Sequence, residues 1–197
     1  ETLLKEIHSR VKNNMQVVSS LLFMQSRTCD DPHLKEILRE SQNRVKSIAL
    51  VHEELYQSMD LDRIDYTRYL RKIVRNIFDT YKVSPDQISL QFSEERVYLT
   101  ISKAVPCSLI VNELISNSIK HAFPDKRPGT ISIECGVEDG RFILRYADDG
   151  VGFPPNISLR SPKTLGLELI QGLVKQLGGT IAIFHEKGTQ YEISFDQ

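Results

Sequence analysis

This 197-residue chain has no hydrophobic run approaching the roughly 20 residues needed to span a bilayer. Nor do its opening residues read as a secretory leader. Cysteine is scarce. Cys29, Cys107 and Cys135 are odd in number and widely scattered, which matches neither a zinc framework nor a disulfide scaffold and is expected of a reducing cytoplasm. Neither sign of charge is in excess: 25 basic and 26 acidic side chains leave a formal net charge of −1. No global field therefore draws nucleic acid or an anionic membrane. Internal repeats and low-complexity segments are missing as well. What remains is an ordinary globular composition, 40% hydrophobic and 26% charged, which suits one or two folded domains and not a disordered tail. The sequence starts inside a helical pattern without an initiator methionine, so a piece of a longer protein is expected.

Periodicity organises the chain. Leu4, Ile7, Val11, Met15, Val18 and Leu22 form one stripe on a helix of about 25 residues. The stretch TCDDP at 28–32 breaks it. Pro32 suits the first turn of a second helix capped by Asp30 or Asp31, with Leu34, Ile37, Leu38, Val45, Ile48, Leu55 and Met59 as its apolar positions. Two long amphipathic helices joined by a short turn predict a hairpin, whose residual apolar surface favours a four-helix dimer. A third helix whose face holds Leu70, Ile73, Val74, Ile77, Phe78 and Tyr81 lies beyond a boundary near SMDLDRID. The period then changes. ISLQF (88–92) alternates as a strand, residues 102–123 read as a helix with Pro106 near its start, and residues 129–150 read as a hairpin turning at Asp139-Gly140. A Gly- and Pro-rich segment to about Lys163, a helix at 165–177 and two further strands complete the pattern. The fold class expected is α+β: residues 1–62 a two-helix hairpin, and residues 63–197 a sandwich of a mixed sheet of about five strands with about three helices.

Three places could carry chemistry. On the helix around Asn112, the residues Glu113, Asn117 and Lys120 share one face, with His121 at its edge. A carboxylate and a carboxamide suit Mg²⁺, and a lysine suits a phosphate. Taken alone this is also a solvated polar face, although asparagine is a poor choice for a helix interior. At the end of a predicted strand, Asp148, Gly150 and Gly152 form D-x-G-x-G. A carboxylate fixed there can accept a hydrogen bond from an exocyclic amine, and the glycines allow the backbone a tight turn. In SPKTLGLELI (161–170), Thr164 is a fitting N-cap and Gly166 falls in the first turn, so free backbone N–H groups could cradle a phosphate. The intervening Pro154, Pro155, Asn156, Arg160 and Lys163 read as a lid.

Each motif is weak by itself, but their order is specific. An N-E-L-x-x-N-x-x-K-H helix, D-x-G-x-G, a lid, L-G-L at a helix start and then GT before the last strand resemble the ATP-binding domain of the GHKL superfamily, in the form found in sensor histidine kinases. The resemblance covers about residues 63–197. It implies ATP as the nucleotide and Asn117 as the Mg²⁺ ligand, supported by Asn112 and Glu113. It further implies Asp148 as the reader of adenine. Gly150, Gly152, Leu165, Gly166 and Leu167 would surround the nucleotide, and Lys120, His121 and Thr189 would lie near the phosphates. Many relatives carry a richer G-x-G run where this chain has only TLGL.

The first 60 residues bear a second resemblance. EIHSRVKNNMQVVSSLLFMQSR followed by SQNRVKSIALVHEELYQS resembles the phosphoacceptor hairpin of the second HisKA type, close to the HWE kinases. This implies autophosphorylation on His8 and transfer to an aspartate of a response-regulator receiver domain, in a homodimer with a sensor region upstream. Glu113 and Lys120 would join His8 as catalytic residues. Relatives commonly have a second histidine at the position held here by Ser9. Helical phase places His8 about 60° from the centre of the apolar stripe, turns Ser9 away from it, and puts His52 near the centre of the second helix's stripe. Arg10, Lys12, Asn13 and Asn14 are candidates for ordering the acceptor. His33 and His185 have no chemical companions. Two other classes stay open: a GHKL-type ATPase or serine kinase with a merely architectural hairpin, and a nucleotide-binding dimerisation module without turnover.

Overall fold

The computed structural model describes residues 2–57, 63–152, 165–184 and 187–196. The predicted boundary at 58–62, the lid with Thr164, and His185 fall outside these residues. Helices α1 (Thr2–Thr28) and α2 (Pro32–Gln57) form the antiparallel hairpin. Asp31 caps α2, its carboxylate accepting from the His33 N–H at 2.9 Å, while Pro32 occupies the first helical position where no N–H is required.

The hairpin seam is rotated from the predicted stripe. Ile7 and Val18 of α1 are exposed, whereas Ser19 is buried and Lys12 is half-buried. Two polar contacts accompany this phase: the Gln42 side-chain amide donates to the Ser19 carbonyl at 3.3 Å, and Lys12 pairs with Glu53 at 3.3 Å. On α2 the exposed Leu34 and Ile37 contrast with the buried Asn43 and Ser47. The reason is that α2 has two partners. It packs on α1 along one side and on a helix of the following sandwich along another, so its buried surface is not one apolar stripe.

Strand β1 (Arg63–Asp65) leads into α3 (Tyr66–Tyr81), and Asp65 caps that helix by accepting from the Arg68 N–H at 2.9 Å. Then come β2 (Ile88–Phe92), β3 (Tyr98–Thr100) and α4 (Ile101–Asn117), which runs on through a π-helical turn, Ser118–Ala122. β4 (Gly129–Glu138) and β5 (Arg141–Asp148) form the expected hairpin. Asp139 at φ 50° and Gly140 at φ 78° both take the left-handed conformation of a type I′ turn. Helix α5 (Leu165–Gln176), β6 (Thr180–Phe184) and β7 (Thr189–Asp196) complete the described chain.

Five strands form one mixed sheet in the order β2-β4-β5-β7-β6, parallel at β2–β4 and antiparallel elsewhere. Alternate residues point into the core, among them Ile131, Ile133 and Cys135 of β4 and Tyr191, Ile193 and Phe195 of β7. The buried faces of α3, α4 and α5 join them. Tyr66 at the start of α3 meets Phe142 edge-on at 5.6 Å, and Phe142 lies 4.7 Å from Phe195, tying the helix layer to the sheet. A separate two-stranded pair, β1–β3, was not legible in the sequence. At three residues each, its strands are too short to display a period.

Candidate nucleotide and phosphoacceptor site

Asp148 ends β5 and is buried. Its Oδ2 accepts from Ser118 Oγ at 2.6 Å, and Oδ1 accepts from the Gly150 N–H at 3.1 Å and the Thr189 N–H at 3.3 Å. Burial raises the carboxyl above its ordinary value, and these three donors pull the other way. Ser118 is held in turn by the Tyr146 hydroxyl, which donates to its Oγ at 2.8 Å.

Glycines make this strand end possible. Gly150 sits so close to Ala122 that a Cβ there would overlap the Ala122 carbonyl, and the Val151 N–H donates to that same carbonyl at 2.9 Å. Gly188, immediately before β7, has φ 74°, and a Cβ would run into the Asp148 carbonyl. Gly152 lies against the Gly188 carbonyl, also at positive φ. The backbone can therefore fold over Asp148 only where side chains are missing.

A second group gathers on α4. A Cβ placed on Gly166 of α5 would stand 3.0 Å from Glu113 Oε2 and 3.9 Å from both Asn117 side-chain atoms. The L-G-L start of α5 thus sits on the carboxylate and carboxamide of α4, with Leu165 exposed and Leu167 buried. Asn117 is half-buried and directly precedes Ser118, the partner of Asp148. Asp148, Gly150, Gly152, Thr189, Glu113, Asn117 and Gly166 accordingly occupy one end of the sheet.

Two expected residues are turned toward α2. Asn112 is buried and donates to Ser47 Oγ of α2 at 3.4 Å. Lys120 pairs with Glu36 at 2.7 Å and also with Glu40. Burial would lower the Lys120 ammonium, but the two carboxylates outweigh it and hold it above its ordinary value. His121 is exposed, and desolvation by its surroundings with the Lys120 charge holds its imidazole below the usual range. Glu113 is held at both of its oxygens by one arginine: Arg44 Nε donates at 2.6 Å and Nη2 at 2.8 Å. Sequence reasoning missed Arg44, Glu36, Glu40, Ser118 and Gly188. Only the GT before the last strand hinted at the last of these, because every such contact joins residues distant in sequence.

On the hairpin, His8 lies in the helical backbone of α1, one heptad before the half-buried Met15; its side chain is outside the described ones. Ser9 is half-buried, contrary to the predicted phase and in keeping with the rotated seam. Arg10 pairs with Glu6 at 2.5 Å, Lys12 is taken by Glu53, and Asn13 and Asn14 are exposed. His52 is half-buried and partnered, and His33 is exposed.

Comparison with known families agrees with both halves. Residues 6–81 match the histidine kinase family of the second HisKA type, and residues 102–197 match the histidine kinase-, DNA gyrase B- and HSP90-like ATPases. The chain belongs to the histidine kinases. The sensor histidine kinase PdtaS of Mycobacterium tuberculosis is 32% identical over 193 residues, covering 96% of this chain and 38% of that protein. Blue-light-activated histidine kinase 2 of Erythrobacter litoralis is 25% identical over 189 residues, 91% of this chain and 52% of that one. The chain therefore spans between about a third and a half of those relatives. Among solved structures, the histidine kinase domain of the Erythrobacter litoralis EL346 blue-light activated kinase superposes with a TM-score of 0.73 at 21% identity, covering 99% of this chain and 95% of that one. No described helix is long and apolar enough to cross a membrane.

Proposed function

We propose that this chain is the catalytic core of a cytoplasmic sensor histidine kinase that phosphorylates its own His8 from ATP and passes the phosphoryl group to an aspartate of a response regulator. The observation that carries this is the buried Asp148 carboxylate among Ser118, Gly150, Gly152 and Gly188, an acceptor suited to one amine-bearing base, in a chain whose first helix bears a histidine. Residues 1–62 act as acceptor and assembly hairpin, residues 63–197 as the nucleotide-binding unit.

Asp148 accepts a hydrogen bond from the adenine amine, and Gly166 opens α5 beside the phosphates. The side-chain oxygen of Asn117 next to the Glu113 carboxylate is the hard oxygen donor set that Mg²⁺ prefers, so Asn117 would hold the metal of Mg·ATP. When bound, Mg²⁺ supplies charge neutralisation on the phosphates. A neutral ring nitrogen of His8 attacks the γ-phosphorus in line. The N–P bond forms as the bond from the γ-phosphorus to the β–γ bridging oxygen breaks, ADP leaves, and the imidazole sheds its other ring proton to solvent. Imidazole is largely neutral at cellular pH and needs no strong base. The exposed Val17, Val18, Leu21 and Met24 of α1 suit a second copy of the hairpin, and sensing belongs to a segment upstream of Glu1.

Incubation with γ-labelled ATP and Mg²⁺ tests the reading. Acid-labile, base-stable label on the wild type and none on His8→Gln is expected. Label that persists in His8→Gln, or that survives acid as on serine, overturns it.

A further inference from the structure

A chain of hydroxyls reaches Asp148, and its protons run in one direction. Ser118 Oγ lies 2.6 Å from Asp148 Oδ2, and a carboxylate can only accept, so the serine proton points at Asp148. The contact of 2.8 Å between the Tyr146 and Ser118 oxygens then needs the tyrosine proton. The Leu114 carbonyl, 3.2 Å from the same hydroxyl, already accepts from the Ser118 N–H. The order is therefore Tyr146 to Ser118 to Asp148. All three residues are buried, where directed bonds of this kind are stronger than in water. Tyr146 and Asp148 are two apart on the buried face of β5, and the Tyr146 ring is set edge-on against Tyr191 at 6.2 Å.

Counting acceptor sites identifies the atom that meets a base. A carboxylate offers about four lone-pair sites, two on each oxygen. Oδ1 is filled by the Gly150 and Thr189 N–H groups, whereas Oδ2 has taken only Ser118. The site left for a base amine is on Oδ2, beside Ser118 Oγ. Ser118 has already given its proton away. A base arriving there meets two acceptors and no side-chain donor. A 6-aminopurine presents an N–H to them, whereas a 6-oxopurine presents a carbonyl oxygen and is repelled.

We propose that Tyr146 and Ser118 are positioning residues that act through Asp148 to make the base site selective for a 6-aminopurine: Tyr146 fixes the direction of the Ser118 hydroxyl, and Ser118 keeps Oδ2 a pure acceptor. This rests on the reading of Asp148 as the adenine acceptor given above and adds the groups that set its selectivity. Loss of the Tyr146 hydroxyl frees Ser118 to turn its proton toward a 6-oxo group. Loss of Ser118 removes a donor that holds the Asp148 carboxyl down against burial, so its acid form gains population and offers an O–H to the same oxo group. Among the described residues the other titratable groups around Asp148 are Asp149, Tyr146 and Tyr191. None is a cation, so none replaces Ser118 in that role.

The test is calorimetric titration of the 197-residue chain with ADP or inosine 5′-diphosphate in the presence of Mg²⁺, for the wild type, Tyr146→Phe, Ser118→Ala and Ser118→Thr. Circular dichroism checks that each is folded, and Tyr146→Phe keeps the ring that packs on Tyr191. The ratio of the two affinities cancels the titration of the phosphates, which both probes share. The wild type should prefer ADP by about 100-fold or more. Tyr146→Phe should lower that preference about 10-fold. Ser118→Ala should lower it increasingly as pH is taken from 8 to 6, while Ser118→Thr, which restores the hydroxyl, should keep the wild-type ratio. Parallel weakening of both probes in Tyr146→Phe and Ser118→Ala, with the ratio unchanged at either pH, means packing alone and overturns the proposal while the Asp148 site stands. Equal binding of the two diphosphates by the wild type, or binding of neither, overturns the adenine reading as well.

Discussion

Asp148 illustrates what one residue contributes. Burial raises the proton affinity of its carboxyl in the folded state, so its charged form comes at a cost to folding. With a raised folded value, its favourable contribution is complete below the ordinary value of about 3.8 and is lost as pH rises through the folded value. Asp148→Asn keeps an acceptor for the Gly150 and Thr189 N–H groups and removes the buried charge. Thermal denaturation should therefore show the variant gaining on the wild type as pH is raised from 4 to 7. The same substitution should weaken adenine nucleotide binding by about 100-fold or more, since the base amine loses a charged acceptor. A variant that binds as well as the wild type would remove Asp148 from the adenine site. The residue was legible because D-x-G-x-G is local. Ser118 and Gly188 were not, because their relation to Asp148 exists only once α4 and β7 flank β5.

Elements whose signals are local formed where periodicity and caps put them. The strand Ile88–Phe92, the Asp139-Gly140 turn and the Asp31 cap follow from alternation, φ > 0 tolerance and an orphan N–H. Asp65, which satisfies the Arg68 N–H at the head of α3, gives a direct check. Asp65→Ala should cost about 1 kcal/mol in urea unfolding, whereas Asp65→Asn, which keeps an acceptor, should cost a few tenths. Equal losses from both would mean that the cap is not what matters there. The hairpin seam was less legible. Apolar spacing selected Ile7 and Val18, yet the structure buries Ser19 and exposes both. Polar contacts to Gln42 and Glu53, together with the second partner of α2, choose the rotation.

For the molecule as a whole, charge couples the hairpin to the sandwich. Burial would raise Glu36, but Lys120 and Arg39 overcome it and hold the carboxyl below its ordinary value. A depressed folded value stabilises the docked arrangement above about pH 4.5 and loses that stabilisation as pH falls through the folded value. The radius of gyration should therefore rise on acidification below about pH 4.5, before far-UV dichroism is lost. The Glu36→Gln/Glu40→Gln variant should be expanded already and show a smaller step. Coincident loss of compactness and helicity in the wild type would refute the docking account. The sequence by itself determined the element types, the hairpin-plus-sandwich order and the nucleotide motifs, because each is written in short-range spacing. Only the tertiary structure decided that Glu113 and Lys120 face α2, since their partners lie 69 and 80 residues away in the chain, and ion pairs at such separation leave no periodic trace in either helix.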